Sequence, residues 1–180
     1  MNGEPLKKHI IDTVKEWQMK IGYRPESMKL YYPAVSLAEL LDLPEDAGKE
    51  QLQRALFGFA EKEEAFLGKL SFAEREDRWE LTVPPEGCTW IHENVPDSPL
   101  LTDFIRTITT PGKTLEDVRA CFAHYALPGH PLQEADHVHD EMGRVFFYEG
   151  GQPDEYVYCV EADDFGLTYH RFTMEDYKKL

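Results

Sequence analysis

Basic residues are scarce in this chain. Nineteen lysines and arginines stand against 34 aspartates and glutamates, a formal net charge of −15 over 180 residues. Phosphate-backbone recognition needs a basic face, so the balance argues against nucleic acid as a partner. It argues equally against docking on anionic membranes. Long apolar runs are missing too: no stretch approaches the roughly 18 residues needed to span a bilayer. The opening MNGEPLKKHIIDTVKEW mixes charges with apolar residues at helical spacing and does not read as a signal peptide. Cysteine is limited to Cys88, Cys121 and Cys159, far apart and without a C-x-x-C pair. Free thiols in a reducing cytoplasm, packed as small hydrophobes, are the expectation. There is no internal repeat and no low-complexity tract. Phosphate-binding loops, Gly-x-Ser-x-Gly and His-Glu-x-x-His are absent. Asp164-Phe165-Gly166 lacks every accompanying element of a kinase and reads as a hairpin turn, with Gly166 free to take a positive φ.

What is present is enough to fold. Apolar residues make up 42% and aromatics 12%, which argues against disorder and suits one domain, residues 1–180, with one core. Leu6, Ile10, Val14, Trp17 and Ile21 form one stripe of a helix over about 5–21, closed by Gly22. Met28 to Tyr32 reads as a short strand or part of a turn. Ser36 with Glu39 reads as a capping box opening a short helix before Pro44. A longer helix is expected over roughly 47–67, with Leu52, Leu56, Phe59, Phe66 and Leu67 as its stripe. The period then changes. Leu70 and Phe72, then Trp79, Leu81 and Val83, alternate about a charged EREDR turn.

Two more helices follow. Ser98-Pro99 caps one, carrying Leu100, Leu101, Phe104, Ile105 and Ile108. Thr114 with Asp117 opens the other, carrying Leu115, Val118, Phe122 and Tyr125. The last third reads as an antiparallel meander: RVFFYE, a GGQPD turn, EYVYCVEA, a DDFG turn and LTYHRF. Thr173 with Asp176 caps a short terminal helix. Hairpins and helices interleave without βαβ alternation, which predicts an α+β fold, an antiparallel sheet of hairpins and meander covered by several helices.

The segment YVYCVEADDFGLTYHRFTMEDYKKL, above all Tyr169-His170-Arg171-Phe172-Thr173 running into Glu175-Asp176-Tyr177, resembles the C-terminal end of an uncharacterised bacterial family, one of the domains of unknown function from gut bacteria. The resemblance extends over most of the chain. It implies no activity and assigns no site.

The candidate chemistry lies in ADHVHDEMGRVFFYEGG, residues 135–151. Four of the seven histidines, His124, His130, His137 and His139, fall among Glu134, Asp136, Asp140 and Glu141. Imidazole with carboxylate suits Zn²⁺, Mn²⁺ or Fe²⁺. On a strand His137 and His139 would share a face; on a helix they would point apart. The acids and the single β-branched residue favour a loop or short helical turn leading to Arg144. The barrel pattern of cupins fails at Gly143, and Glu134-x-x-His137 is half of a di-iron motif without its second half. A solvated acidic turn is the alternative, and the preferred one. Cys121 and His124, three apart on a helix, could form a nucleophile pair, but a structural thiol is preferred there as well. His92 and His170 read as hydrogen-bonded structural residues.

The aromatics crowd the meander. Alternation puts Phe146 and Tyr148 on one face and Phe147 on the other. One ring-bearing face must be core; the second is covered by helices, the preferred case, or exposed as a tyrosine-rich contact surface. The functional expectation is a cytoplasmic, non-enzymatic module binding a protein partner, a basic one by charge complementarity, or a second copy of itself. The alternative is a metal-dependent hydrolase with Zn²⁺ or Mn²⁺ on His137 and His139, Asp136, Asp140 or Glu141 beside them, and His124 or His130 completing the shell.

Overall fold

In the computed structural model, which describes residues 2–180, the expected first stripe becomes helix α1 (Glu4–Ile21), with Leu6, Ile10 and Val14 fully buried. The stripe then leaves the core: Trp17 and Ile21 are about half exposed. Gln18 is buried instead, its Nε2 donating to the Cys88 carbonyl at 2.8 Å. The cause is α4 (Pro85–Asn94), a helix the sequence pattern did not announce, which packs against α1 on that side. Pro84-Pro85 looks like a breaker, yet proline is well suited to a first helical turn, where the N–H is unpaired anyway.

The chain clusters into two compact units, Met1–Asp97 and Ser98–Leu180. The first holds α1, β1 (Met28–Pro33), α2 (Ala34–Leu40), α3 (Lys49–Leu67), β2 (Ser71–Arg75), β3 (Arg78–Val83) and α4. Met28–Pro33 is the strand, not the turn: it pairs antiparallel with β3, which pairs antiparallel with β2, in the order β1-β3-β2. The EREDR turn tightens to Glu76-Asp77, because Arg75 and Arg78 already pair. The Ser36 capping box is corrected. Helix α2 starts at Ala34 directly after Pro33, and Ser36 is buried inside it. Proline's fixed φ turns strand into helix there without a side-chain cap. Leu6, Ile10, Leu37, Leu56, Phe59 and Leu81 form the centre of this unit's core.

The second unit holds α5 (Pro99–Thr109), α6 (Leu115–Tyr125), β4 (Leu132–Asp136), β5 (Arg144–Tyr148), β6 (Val157–Asp163), β7 (Gly166–Phe172) and α7 (Met174–Tyr177). Its sheet is fully antiparallel in the order β4-β5-β6-β7. Strand β4 extends the expected meander by one strand. Ser98 Oγ accepts the Leu101 N–H at 3.2 Å, the cap expected there. The Thr114 N–H donates to the Asp117 carboxylate at 2.8 Å, and that bond holds the Asp117 carboxyl below the usual carboxylate range. Each unit is thus α+β, the class expected, built on two sheets where one was anticipated.

Register assigns the two faces of the second sheet. Glu134, Arg144, Phe146, Tyr148, Tyr158 and Tyr169 share one face. Helices α5 and α6 bring Phe104 and Phe122 onto it: Phe104 meets Tyr169 at 4.7 Å between ring centroids, and Phe122 meets Tyr158 at 5.0 Å. Tyr148, Tyr156 and Tyr158 are buried, so this is the core face. The second face, for which helical cover was preferred over exposure, carries Phe147 and Phe172 partly buried and is covered only in part, by α7, with Thr168 and His170 exposed. At the edge of the core face Arg119 of α6 grips Glu134 of β4 through both carboxylate oxygens, and Arg144 joins at 3.3 Å. These arginines, Arg119 first, hold the Glu134 carboxyl below its ordinary value of 4.5.

A depressed carboxylate contributes stability above its unfolded value and loses it as pH falls through the folded one. Glu134 should therefore help hold the second unit together in full above pH 4.5 and lose that contribution progressively as pH falls below 4.5 through its lowered folded value. Glu134→Gln is expected to cost about 1 kcal/mol near neutrality, a partly solvated contribution, and to flatten the acid limb of stability against pH. Urea titrations of both proteins between pH 3 and 7 measure this; parallel curves would refute it. No helix among the described residues is long and apolar enough to cross a membrane.

Candidate functional site

The β6–β7 hairpin builds the site. Asp163 Oδ1 accepts the N–H groups of Phe165 and Gly166 at 2.8 and 3.1 Å, and Gly166 takes the expected positive φ, 134°. That two-residue turn sets Glu161 opposite Thr168 and Cys159 opposite His170. Alternation then places Cys159, Glu161, Thr168, His170 and Phe172 on one face, the face away from α5 and α6. Helix α7 packs Met174 and Tyr177 against this face, over Val145, Val157 and Cys159.

Residues 137–143 connect β4 to β5 as a loop, the form favoured from composition. The loop is self-bonded: Gly143 N–H to the Asp140 carbonyl at 3.0 Å, and Met142 N–H to Asp140 Oδ1 at 2.9 Å. A Cβ on Gly143 would stand 2.7 Å from the Val160 carbonyl oxygen and 3.1 Å from His137 Cβ. Only glycine lets the loop lie this close to β6.

The loop carries His137 over the sheet. The His139 backbone N–H donates to His137 Nδ1 at 3.1 Å. A backbone N–H can only donate, so the ring proton sits on Nε2. The His137 side chain is 7% exposed, and its Nε2 lies 3.4 Å from Glu161 Oε1. That separation allows attraction but lacks hydrogen-bond alignment, and Nε2 is buried without a hydrogen-bond partner. His170 Nε2 stands 3.9 Å from the same Oε1, while Glu161 Oε2 accepts the Thr168 hydroxyl at 3.4 Å.

These groups border a cavity of about 230 Å³. Its polar wall is His137, His139, Glu161 and His170; its apolar wall is Val138, Cys159, Phe172, Tyr177 and Leu180. Burial, with Glu161 beside it, pushes the Cys159 thiol up to about 11. Cys159 is therefore a protonated wall atom at neutral pH and not a nucleophile.

Of the seven residues the sequence offers as metal ligands, the cavity gathers His137 and His139 alone. Asp136 sits at the end of β4 on the helix-covered face, paired with Arg144 at 2.5 Å. Asp140 stabilises its own loop and Glu141 is exposed. His130 donates through Nδ1 to the Glu149 carbonyl at 2.8 Å. His124 lines a different cleft, between α5 and α6, with Asp103, Cys121 and Tyr125. Burial pushes Cys121 up to about 11, so the Cys121/His124 pair holds a thiol and no activated nucleophile. His92 stacks on Tyr23 at 4.0 Å between ring centroids. Among the described residues, no group of three His, Cys, Asp or Glu is arranged to hold a metal ion.

Glu161 escaped the sequence reading, and His170 entered it only as a structural residue. A signal for both existed. A two-residue turn at Asp164-Phe165 puts residues 161 and 170 on one face as diagonal neighbours. His137 adds itself to them through a loop, which carries no such signal.

No curated protein and no solved structure matches this chain. A family model described as a domain of unknown function with an E. rectale gene description, DUF3877, matches residues 3–180. The chain therefore belongs to that family, and the resemblance read from Tyr169 to Tyr177 extends almost from end to end.

Proposed function

We propose that the second unit is a binding module for a compact small molecule, seated on the sheet face that carries Glu161 and His170. The observation behind this reading is His137, a residue lining the cavity whose buried Nε2–H donor has no hydrogen-bond partner. Leaving such a donor unmatched costs about 1–3 kcal/mol. A ligand acceptor would relieve that cost, and the apolar wall of Val138, Phe172, Tyr177 and Leu180 suits an apolar body. A cavity of about 230 Å³ suits one ring and a head group; an apolar cavity of about 150 Å³ takes benzene.

The metal-hydrolase alternative fits less well. Zinc or manganese on His137 Nε2 would have to displace its proton while Nδ1 keeps the His139 N–H. A protein partner, a basic chain or a second copy, is the second reading, and Phe165 favours it. Its side chain is 99% exposed at the β6–β7 turn, beside Asp163 and Asp164. An aromatic anchor with an acidic rim suits a basic surface.

Titration of ¹⁵N-labelled protein with toluene, the single-ring apolar probe, tests the small-molecule reading. Amide resonances of His137, Cys159, His170, Phe172 and Tyr177 should shift together and saturably. A Cys159→Phe variant, which fills the cavity, should lose those shifts. If neither toluene nor phenol moves these resonances up to its solubility limit, the reading fails.

A further inference from the structure

We infer that the ligand's head group is a hydroxyl held between His137 Nε2 and Glu161 Oε1; the inference rests on the small-molecule reading above. The two atoms are 3.4 Å apart, belong to residues that line the cavity, and are opposite in kind. Nε2 carries a proton because Nδ1 is taken by the His139 N–H, so it asks for an acceptor. The Glu161 carboxylate accepts, so it asks for a donor. Oε2 already receives the Thr168 hydroxyl at 3.4 Å, which leaves Oε1 as the free acceptor facing the two imidazoles.

Other head groups meet only half of this demand. An ammonium satisfies Glu161 and leaves the His137 proton unmatched. A carboxylate satisfies His137 and is repelled by Glu161. An ether oxygen accepts and cannot donate. A hydroxyl does both with one atom, accepting from Nε2–H and donating to Oε1. The rings of Phe172 and Tyr177 and the volume of about 230 Å³ limit the body to about one ring. The ligand class is a small aromatic or alicyclic alcohol.

A probe series separates this inference from the reading beneath it. Toluene, anisole, phenol and benzylamine share a ring and differ in the head: none, acceptor, acceptor and donor, and ammonium. Dissociation constants come from the cavity amide shifts of ¹⁵N-labelled full-length protein. Phenol should bind at least about tenfold more tightly than toluene, which meets neither His137 nor Glu161, and more tightly than anisole, which can only accept from His137. In His137→Phe, and to a lesser degree in Glu161→Gln, that advantage should vanish while toluene still binds. Toluene binding in each variant also reports that its cavity is intact. If toluene binds and phenol binds no more tightly, the hydroxyl inference is overturned and the binding reading stands. Benzylamine outcompeting phenol overturns it in the same way. If no probe moves the cavity resonances of the wild type, both fall.

Discussion

Gly87→Ala is expected to destabilise the first unit by about 3 kcal/mol, at the upper end of what overpacking costs. Gly87 lies in the first turn of α4, where that helix crosses the end of α3. A Cβ built on it would stand 2.1 Å from the Leu67 carbonyl oxygen, 2.8 Å from the Leu67 carbonyl carbon and 2.9 Å from Val83 Cγ1. Two of those atoms are backbone, so no rotamer change relieves the contact. The helices must separate, and separation breaks the packing that buries Leu67, Cys88 and Ile91. Chemical denaturation measures the loss. Gly48→Ala is the control, because a Cβ there meets nothing within 4 Å. If Gly87→Ala is as stable as that control, the close crossing is refuted.

Phe122→Ala should cost the second unit about 3–5 kcal/mol, the range for removing a fully buried phenylalanine. Phe122 is 0% exposed and central to the ring cluster. It stacks on Phe146 at 5.5 Å, with 5° between the planes, and meets Phe104 and Tyr158 at 5.1 and 5.0 Å. Its carbonyl also accepts the Tyr148 hydroxyl at 2.6 Å. Truncation leaves a cavity among rigid rings that collapse poorly, so the cost exceeds the lost transfer energy. Phe122→Leu should cost markedly less. Equal stability of the leucine and alanine variants would refute the cavity contribution.

Calorimetry of the two variants bears on domain organisation too. One transition lowered by both substitutions would support the single cooperative domain that the chain's length suggests. Two transitions, each answering to one variant, would separate Met1–Asp97 from Ser98–Leu180 as folding units.

Local signals carried most of the secondary structure. Helical spacing marked α1, α3, α5 and α6, because a helix facing a core repeats its apolar residues every three to four positions. Ser98, Thr114 and Gly166 could be read in place, since a cap or a tight turn is satisfied by residues within a few positions. The stripe of α1 misled at Trp17 and Ile21, because which side of a helix is buried depends on what packs there. The partner was α4, hidden behind two prolines.

The candidate site divides along the same line. The loop character of residues 137–143 followed from their composition. The fates of the other proposed ligands did not: Asp136 is drawn to Arg144, His130 to the Glu149 carbonyl and His124 to another cleft by partners distant in sequence. Composition and periodicity specified the α+β class, the helices and the hairpin turns, since these depend on residues close in the chain. Tertiary structure alone brought His137 over Glu161 and His170. The hairpin register and the glycine at 143 are local features, but that the loop descends onto β6 and carries the imidazole across that face depends on packing between segments distant in the chain, which no short segment specifies.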